Sequence, residues 1–217
     1  MKSLERLIHC GLLCASVLST RAEVTIEGTV ALPKPKAETI APPRYDKIPG
    51  KVAPRPAPVA IVYLEGDFSS APNTNTTVPA NMVQEYFQFS PAVLPVRTGT
   101  AVEFPNLDDS YHNVFSYSKA KRFDLGRYRK DEKPAAVVFD KPGEVKLYCE
   151  IHEHMRASIL VLDTPYFTRT DTNGTFRLEH LPAGKFTLKA WLDDKNQLER
   201  AVELSEGARL RVDFAGK

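Results

Sequence analysis

The side chains best suited to chemistry are grouped in one short segment. Cys149, His152 and Met155 follow one another at intervals of three residues, so a thiolate, an imidazole and a thioether can face one small centre from a tight loop. His112, in a polar loop that leads into a β-branched and aromatic run, supplies a second imidazole. Two imidazoles and a thiolate with a weak axial thioether are the ligands of a blue-copper electron-transfer site. The set predicts a protein that binds copper and carries single electrons.

Other uses of the cysteine stay open on these residues alone. Cysteine and two histidines are also good zinc ligands, against which Met155 argues. A nucleophilic Cys149 with His152 as its base lacks an identifiable orienting acid or oxyanion arrangement, so we expect no enzyme activity. Cys149 could also be a small buried hydrophobic residue, and Met155 could fill the core. His180, far from this loop in the sequence, is expected at the surface.

The first 22 residues are typical of a secretory signal peptide. Two basic residues precede an apolar stretch over 7–18, and small residues at 20 and 22 resemble a cleavage site. A mature chain that starts near Glu23 loses two of the three cysteines and keeps Cys149 alone in an oxidising compartment. We therefore expect a periplasmic or secreted protein.

Charge and composition exclude two classes of function. Three of the 29 basic and one of the 27 acidic residues lie in the predicted signal peptide, so the mature chain has no net charge with which to bind nucleic acid. No apolar run after the signal peptide is long enough to cross a membrane. Residues 119–133 nevertheless carry seven basic and three acidic side chains. This stretch is either a solvated connection or a docking site for an acidic redox partner protein.

The mature sequence predicts an all-β fold. Short alternating runs rich in Val, Ile, Phe, Thr and Tyr recur between turn residues, and no segment sustains a 3.6-residue period. We expect strands near 23–31, 59–64, 86–90, 92–97, 101–105, 113–118, 135–140, 144–148, 157–163, 166–170, 175–179, 186–192, 199–204 and 208–214. At most a short helical turn is expected, around 80–85. The Pro-rich segment 33–58 and the polar stretch 69–77 are expected to be loops.

Several motifs in the middle of the chain resemble one family. Pro105-Asn106, His112-Asn113-Val114-Phe115, Pro142-Gly143 and the loop from Tyr148 to Met155 are similar to those of the cupredoxins, which include plastocyanin, pseudoazurin and amicyanin. The two-residue gap between the second histidine and the methionine is that of amicyanin, whereas the other two have four. Residues 113–118 and 122–128 further resemble bacterial methylamine-utilisation or plastocyanin-like proteins. The resemblance covers roughly 83–163.

The resemblance implies a Greek-key β-sandwich with one type 1 copper site. His112, Cys149 and His152 would be the equatorial ligands and Met155 the axial ligand. A protein of this family is expected to exchange electrons with redox partner proteins.

Three neighbouring residues acquire expected roles from the same resemblance. Asn113 looks like the cupredoxin asparagine that ties the two ligand loops together by hydrogen bonds. Tyr148 resembles the aromatic residue beside the metal-binding cysteine of plastocyanin. His154 stands where amicyanin has an aromatic residue before the methionine, and it is either an exposed loop residue or an additional ligand.

The end of the chain resembles a second module. Residues 167–191 look like part of a carboxypeptidase regulatory-like, transthyretin-like β-sandwich. Asp171–Gly174 predicts a β-hairpin, and Pro182–Gly184 predicts another tight turn. The first strands of that module are missing directly upstream, but residues 26–30 and 58–64 resemble them. We therefore expect a cupredoxin domain over 80–163, inserted between a first part over 23–75 and a second part over 164–217. Alternatively, 23–66 adds strands to the cupredoxin.

Two functions without electron transfer remain as alternatives. A copper-binding scaffold would use the second sandwich to dock a partner, and a copper carrier would release its metal. Reversible redox cycling distinguishes both from the electron carrier.

Overall fold

The computed structural model describes residues 23–34, 52–54, 56–68 and 79–215. The ordered elements of these residues are β-strands, which confirms the predicted all-β class. The predicted signal peptide, most of the Pro-rich segment and the stretch 69–77 lie outside the described residues. No helix of the described part has the length and apolar character needed to span a membrane.

The described residues contain seventeen strands. In chain order they are β1 (Val24–Thr29), β2 (Ile61–Glu65), β3 (Ala80–Asn81), β4 (Val83–Glu85), β5 (Gln88–Ser90), β6 (Val93–Arg97), β7 (Thr100–Glu103), β8 (His112–Tyr117), β9 (Arg122–Tyr128), β10 (Val137–Phe139), β11 (Gly143–Tyr148), β12 (Arg156–Leu162), β13 (Phe167–Arg169), β14 (Thr175–Leu181), β15 (Gly184–Trp191), β16 (Gln197–Leu204) and β17 (Arg209–Arg211).

Strands β3 to β12 enclose the first hydrophobic core. A five-stranded sheet in the order β6-β12-β11-β8-β9 and a three-stranded sheet in the order β10-β7-β3 surround it, with the β4–β5 hairpin alongside. The core contains the buried Phe89, Phe104, Phe139, Leu147 and Ile159. Alternation along each strand places every second residue inside. This module, the first sandwich, carries all the predicted ligands.

The remaining strands form a second sandwich with its own core. Its sheets run β14-β1-β17 and β13-β2-β15-β16, and its core includes Ile26, Leu64, Phe176, Leu188 and Phe214. Strands from before and after the first sandwich pair with one another. β1 pairs with β14 and β17, and β2 pairs with β13 and β15. The strands that precede the first sandwich therefore hydrogen-bond to strands that follow it.

The helical turn expected around 80–85 is wrong. Ala80–Asn81 pairs in parallel with β7, and Val83–Glu85 pairs with β5. Met82 and Gln84 are both fully buried. Their two-residue spacing is the period of a strand, and backbone pairing on both sides satisfies the N–H and C=O groups that a helix would have satisfied internally.

Two further expectations need correction. The basic stretch 119–133 is not only a connection, because it contains β9, an edge strand whose Phe123 and Leu125 pack on the first core while Arg122 faces solvent. Asp171–Gly174 forms a tight turn but not a hairpin, since β13 and β14 belong to different sheets. Gly174 has a φ of +85°, a conformation that favours glycine.

The two sandwiches meet at a small apolar junction. Ile61 and Trp191 of the second sandwich pack against Leu160 and Leu162 of β12 in one buried cluster. At the edge of this junction Lys146 forms an ion pair of 2.8 Å with Asp194. The outer face of the five-stranded sheet is thus partly covered by the second sandwich.

Candidate metal centre

The alternation of β11 directs Cys149 into the first sandwich. Val145, Leu147 and Cys149 are spaced by two residues and are all buried, with Cys149 only 3% exposed. The strand ends at Tyr148, so the thiol lies at the end of the core where the chain turns into the loop that leads to β12.

His112 reaches the same end of the core from the neighbouring strand. It is the first residue of β8, which pairs with β11 through Phe115 and Tyr148. Three consecutive residues, His112 to Val114, are buried because an irregularity in the pairing with β9 interrupts the normal alternation. The imidazole is fully buried.

Three predicted ligands meet at one point. Nδ1 of His112 lies 3.0 Å from Nδ1 of His152, and Sγ of Cys149 lies 3.7 Å from that same His152 nitrogen. The ligand atoms of the three residues all lie within 4.8 Å of one another. Two atoms bound to one ion at about 2.0–2.3 Å, as in imidazole and thiolate sites, lie roughly 3.0–3.8 Å apart. The two distances to His152 therefore fit a single first-row transition metal ion, and the third pair of donor atoms lies within 4.8 Å.

Met155 occupies the end of the same loop. Its backbone N–H donates to the His152 carbonyl at 2.8 Å, which closes a tight turn between the two residues. Its side chain is 1% exposed and belongs to the same core cluster as Cys149. The structure thus places the predicted axial thioether inside the core, beside the loop that carries the other two ligands.

Asn113 links the two segments that carry the ligands. Its side-chain Nδ2 donates to Asp124 Oδ1 at 2.8 Å and to the Gly126 carbonyl at 3.1 Å, and its Oδ1 accepts from the Glu150 N–H at 3.4 Å. The contact with Glu150 joins the start of β8 to the loop after β11. This is the kind of connection expected of Asn113 from the sequence.

The carboxylate of Asp108 contacts His112 on the side of the ring that faces away from the cluster. Asp108 Oδ2 lies 2.8 Å from His112 Nε2, the ring nitrogen that faces away from Cys149 and His152. A carboxylate at Nε2 keeps a proton there and leaves Nδ1 with a lone pair for a metal. The sequence analysis did not identify Asp108, whose spacing of four residues from His112 is the available signal.

The same carboxylate anchors the β4–β5 turn. Asp108 accepts the N–H groups of Tyr86 and Phe87 at 2.8 and 3.0 Å. Both turn residues have positive φ angles, 55° and 58°, which are uncommon for side chains of this size. The turn places the Phe87 ring edge-on to both imidazoles, with centroids 5.6 Å from His112 and 5.0 Å from His152. Phe87 thereby covers the two histidines with an apolar surface.

The electrostatics of the cluster favour the thiolate. Burial raises the pKa of the Cys149 thiol, but hydrogen bonds from the His112 and His152 rings and from backbone N–H groups outweigh burial and lower the pKa to about 6. Burial lowers the pKa of His112, but the hydrogen bond to Asp108 and the contact with Cys149 raise it overall. Because the thiolate is the form that binds metals, the folded chain prepares this ligand before any ion arrives.

The other two predicted neighbours lie further from the cluster. Tyr148 is half-buried on the opposite face of β11. Its ring centroid lies 5.8 Å from that of Phe115 with the two rings tilted by 34°, and the Arg156 guanidinium covers it at 5.8 Å. His154 is half-buried rather than exposed, and its ring centroid is 6.2 Å from that of His152. It is not part of the cluster of three ligand atoms. His180 is 82% exposed, as expected for a surface residue.

Comparisons with known proteins give partial structural likenesses. No family model and no curated protein matches the chain. A copper-containing nitrite reductase from Thermus scotoductus SA-01 matches 40% of this chain at 28% identity with a TM-score of 0.38, and the match spans 23% of the reductase chain.

Small copper proteins are among the other matches. A reduced amicyanin variant matches 40% of this chain and 85% of its own at 20% identity, with a TM-score of 0.36. A purple cupredoxin from Nitrosopumilus maritimus matches 38% of this chain and 99% of its own at 23% identity, with a TM-score of 0.34. Each likeness covers less than half of this chain, so the function proposed below depends on the ligand side chains.

Proposed function

We propose that this protein is a periplasmic or secreted type 1 copper protein that carries single electrons between redox partners. The observation that carries the proposal is the buried cluster of His112, Cys149 and His152. Its donor atoms lie within 4.8 Å of one another, and two of the distances, 3.0 and 3.7 Å, are those expected for atoms bound to one ion. Copper would supply a one-electron couple at this site, with Met155 as the weak axial ligand.

The donor set favours copper over zinc. A thiolate and a thioether are soft ligands that suit Cu(I), and imidazoles serve Cu(II), so the set can hold both oxidation states. Structural zinc sites are built from thiolates, imidazoles and carboxylates. Met155 is therefore the residue that favours copper over zinc at this site.

The surrounding residues fix the orientation of the proposed ligands and shield them from water. Asp108 fixes the His112 ring, Asn113 ties the two ligand segments together, and Phe87 covers both imidazoles. Ligands held in one geometry suit electron transfer because little has to move when the charge of the site changes. The burial of Cys149 and Met155 also argues against a carrier that hands over its metal readily.

An absorption spectrum of the mature protein loaded with Cu(II) tests this function. We expect an intense visible band from thiolate-to-copper charge transfer that bleaches with ascorbate and returns on reoxidation. Cys149→Ser should abolish the band, whereas His180→Ala, at an exposed histidine, should leave it unchanged. His154→Ala should also retain the band, since His154 lies outside the cluster. A protein that stays colourless with copper, or that binds zinc in preference, would overturn the proposal.

We also propose that the copper module is inserted into a regulatory-like sandwich. The pairing of β1 with β14 and of β2 with β15 supports it, because strands from before and after the module share both sheets of the second sandwich. Expression of 80–163 alone tests the division. The isolated segment should still form the copper site, and failure to bind copper with the same spectrum would contradict it.

A further inference from the structure

A cleft lies between the copper-ligand loop and the second sandwich. It has a volume of about 850 Å³, and it is bordered by the end of the ligand loop, by the start of β6 and by the turn between β15 and β16. Pockets for small organic ligands usually measure about 300–1,000 Å³ and often lie where two modules meet. We call this feature the junction cleft.

Two cations border the junction cleft from opposite modules. Arg156 follows the ligand loop, and Lys195 belongs to the β15–β16 turn. Arg156 is oriented by its hydrogen bond from Nε to the Glu153 carbonyl at 3.1 Å and by its position over the Tyr148 ring. Within the described residues, neither cation forms an ion pair with a carboxylate.

Among the described residues that line the cleft, Asp193 is the acidic one, and its carboxylate already accepts hydrogen bonds from its own turn. Asp193 accepts hydrogen bonds from the Lys195 and Asn196 N–H groups, both at 2.9 Å, and from Asn196 Nδ2 at 2.8 Å. These bonds hold its pKa below the usual value although partial burial opposes them. A carboxylate whose oxygens already accept hydrogen bonds from its own turn competes weakly for a ligand cation. Asp193 keeps its charge, so Arg156 and Lys195 leave the cleft with a formal charge of +1.

The rest of the wall is largely apolar. Leu32, Val59, Val93, Leu192 and Leu198 line the cleft and are each half-buried, and proline and alanine residues add to this apolar surface. Polar groups also border the cleft, from Gln88, His154, Asn196 and Gln197. A mainly apolar wall with one cation from each module suits a molecule that has a hydrophobic body and an anionic group.

We propose that the junction cleft binds a small organic anion with an apolar body, such as an aromatic or branched carboxylate or sulfonate. The nearest competing occupant is the chain's own segment 35–51, which follows Leu32–Lys34 in sequence. That segment contains four basic and two acidic residues, so its charge has the same sign as that of the cleft. The site does not involve the metal ligands and should therefore form whether or not copper is bound.

The test uses the fluorescent anion 8-anilinonaphthalene-1-sulfonate with the full mature chain. We expect saturable binding of one probe per chain. We also expect energy transfer to the probe from Trp191, the only tryptophan and the neighbour of Leu192 in the cleft wall. Arg156→Gln combined with Lys195→Gln should weaken binding about tenfold or more, as loss of charge-assisted hydrogen bonds implies.

Two controls separate this site from unspecific binding. Lys185→Gln removes an exposed cation of the second sandwich outside the cleft and should leave the affinity within about twofold of the parent chain. The uncharged analogue N-phenyl-1-naphthylamine should bind the parent and the double variant equally. Binding that does not saturate, or that the double variant retains, would overturn the proposal, as would an uncharged analogue that loses affinity in the same variant.

Discussion

At the scale of single residues, Asp108 connects His112, a proposed metal ligand, to a strained turn. One carboxylate contacts His112 Nε2 and accepts two N–H groups from Tyr86 and Phe87. The ring orientation of His112 and the position of the Phe87 cover therefore depend on the same side chain. Groups that orient a ligand in this way commonly contribute a factor of about 10–100 to metal affinity.

The variant Asp108→Asn tests that connection. An amide has one acceptor oxygen in place of two, so it cannot serve both the imidazole and the turn. We expect copper affinity, measured by competition with a chelator, to fall about 10–100-fold, together with a shift of the visible band. Asp109→Asn, at the exposed neighbouring position, is the matched control and should change neither. An unchanged band and affinity in the Asp108 variant would show that the contact has no role in orienting the ligand.

The lowered pKa of Cys149 predicts how the metal-free protein responds to pH. Because the pKa of the folded thiol is about 6 and its ordinary pKa is 9.0, the thiolate stabilises the fold fully above pH 9. That stabilisation is lost as the pH falls through about 6. The thiolate absorbance of the metal-free mature chain should therefore titrate near pH 6, and Cys149→Ser should remove the transition. A transition near pH 9 would contradict the hydrogen-bonded arrangement.

The sequence identifies the residues of the buried cluster but not the residues that support them. His112, Cys149, His152 and Met155 are recognisable because only their types and loop spacing matter. Asp108 is one of two adjacent aspartates in a polar loop, and nothing in the sequence shows that its carboxylate contacts Nε2 of His112. Its role appears only when the β4–β5 turn is packed against that loop.

At the scale of elements, β9 shows why a strand rich in charged residues is difficult to predict from sequence. Its outward residues are charged and its inward residues, Phe123 and Leu125, are apolar, which is the alternation of an edge strand. The density of basic residues over 119–133 indicates a connection instead. Strands such as β11 and β12 are easier to predict because they are apolar on their buried faces and bounded by clear turns.

The basic side chains near β9 are partly neutralised by neighbouring elements. Lys121, Arg127 and Lys133 pair with Asp140, Glu150 and Glu103, which leaves a smaller positive surface than the local sequence implies. Arg122 and Arg129 instead lie over the rings of the exposed Tyr117 and Tyr111. We propose these two arginines as the contact for an acidic redox partner.

Charge reversal at the two arginines tests this docking surface. At low salt, Arg122→Glu with Arg129→Glu should slow oxidation of the reduced protein by the anion hexacyanoferrate(III) several-fold and accelerate oxidation by the cation hexaammineruthenium(III). Lys185→Glu with Arg200→Glu makes the same charge change on the second sandwich and should affect neither rate. Equal rates for the β9 variant and the parent chain, or no dependence on salt, would remove the docking role.

At the scale of the whole molecule, the junction makes two sandwiches into one unit. Leu160 and Leu162 of the first sandwich are buried against Ile61 and Trp191 of the second. Sequence alone indicates two modules and their interrupted order, because each has its own motifs. It does not reveal this contact, because the apolar residues of β12 predict a buried strand without showing what packs against each face.

The variant Leu160→Ala tests the junction. Removing a buried leucine side chain typically costs about 2–5 kcal/mol of stability. Because Trp191 is the only tryptophan, its fluorescence should shift to the red as water reaches the junction, and thermal unfolding should separate into two transitions. Val138→Ala, at a 48% exposed position of the first sandwich, is the control and should leave both unchanged. An unshifted emission spectrum would show that the two sandwiches are not coupled through this contact.

Voltammetry of the copper-loaded mature protein tests the central claim most directly. If His112, Cys149 and His152 hold copper rigidly for electron transfer, the protein should give a reversible wave of one electron per chain. The copper should also remain bound through repeated cycles. An irreversible wave, or release of the metal on reduction, would contradict an electron carrier and favour metal storage or a structural ion in its place.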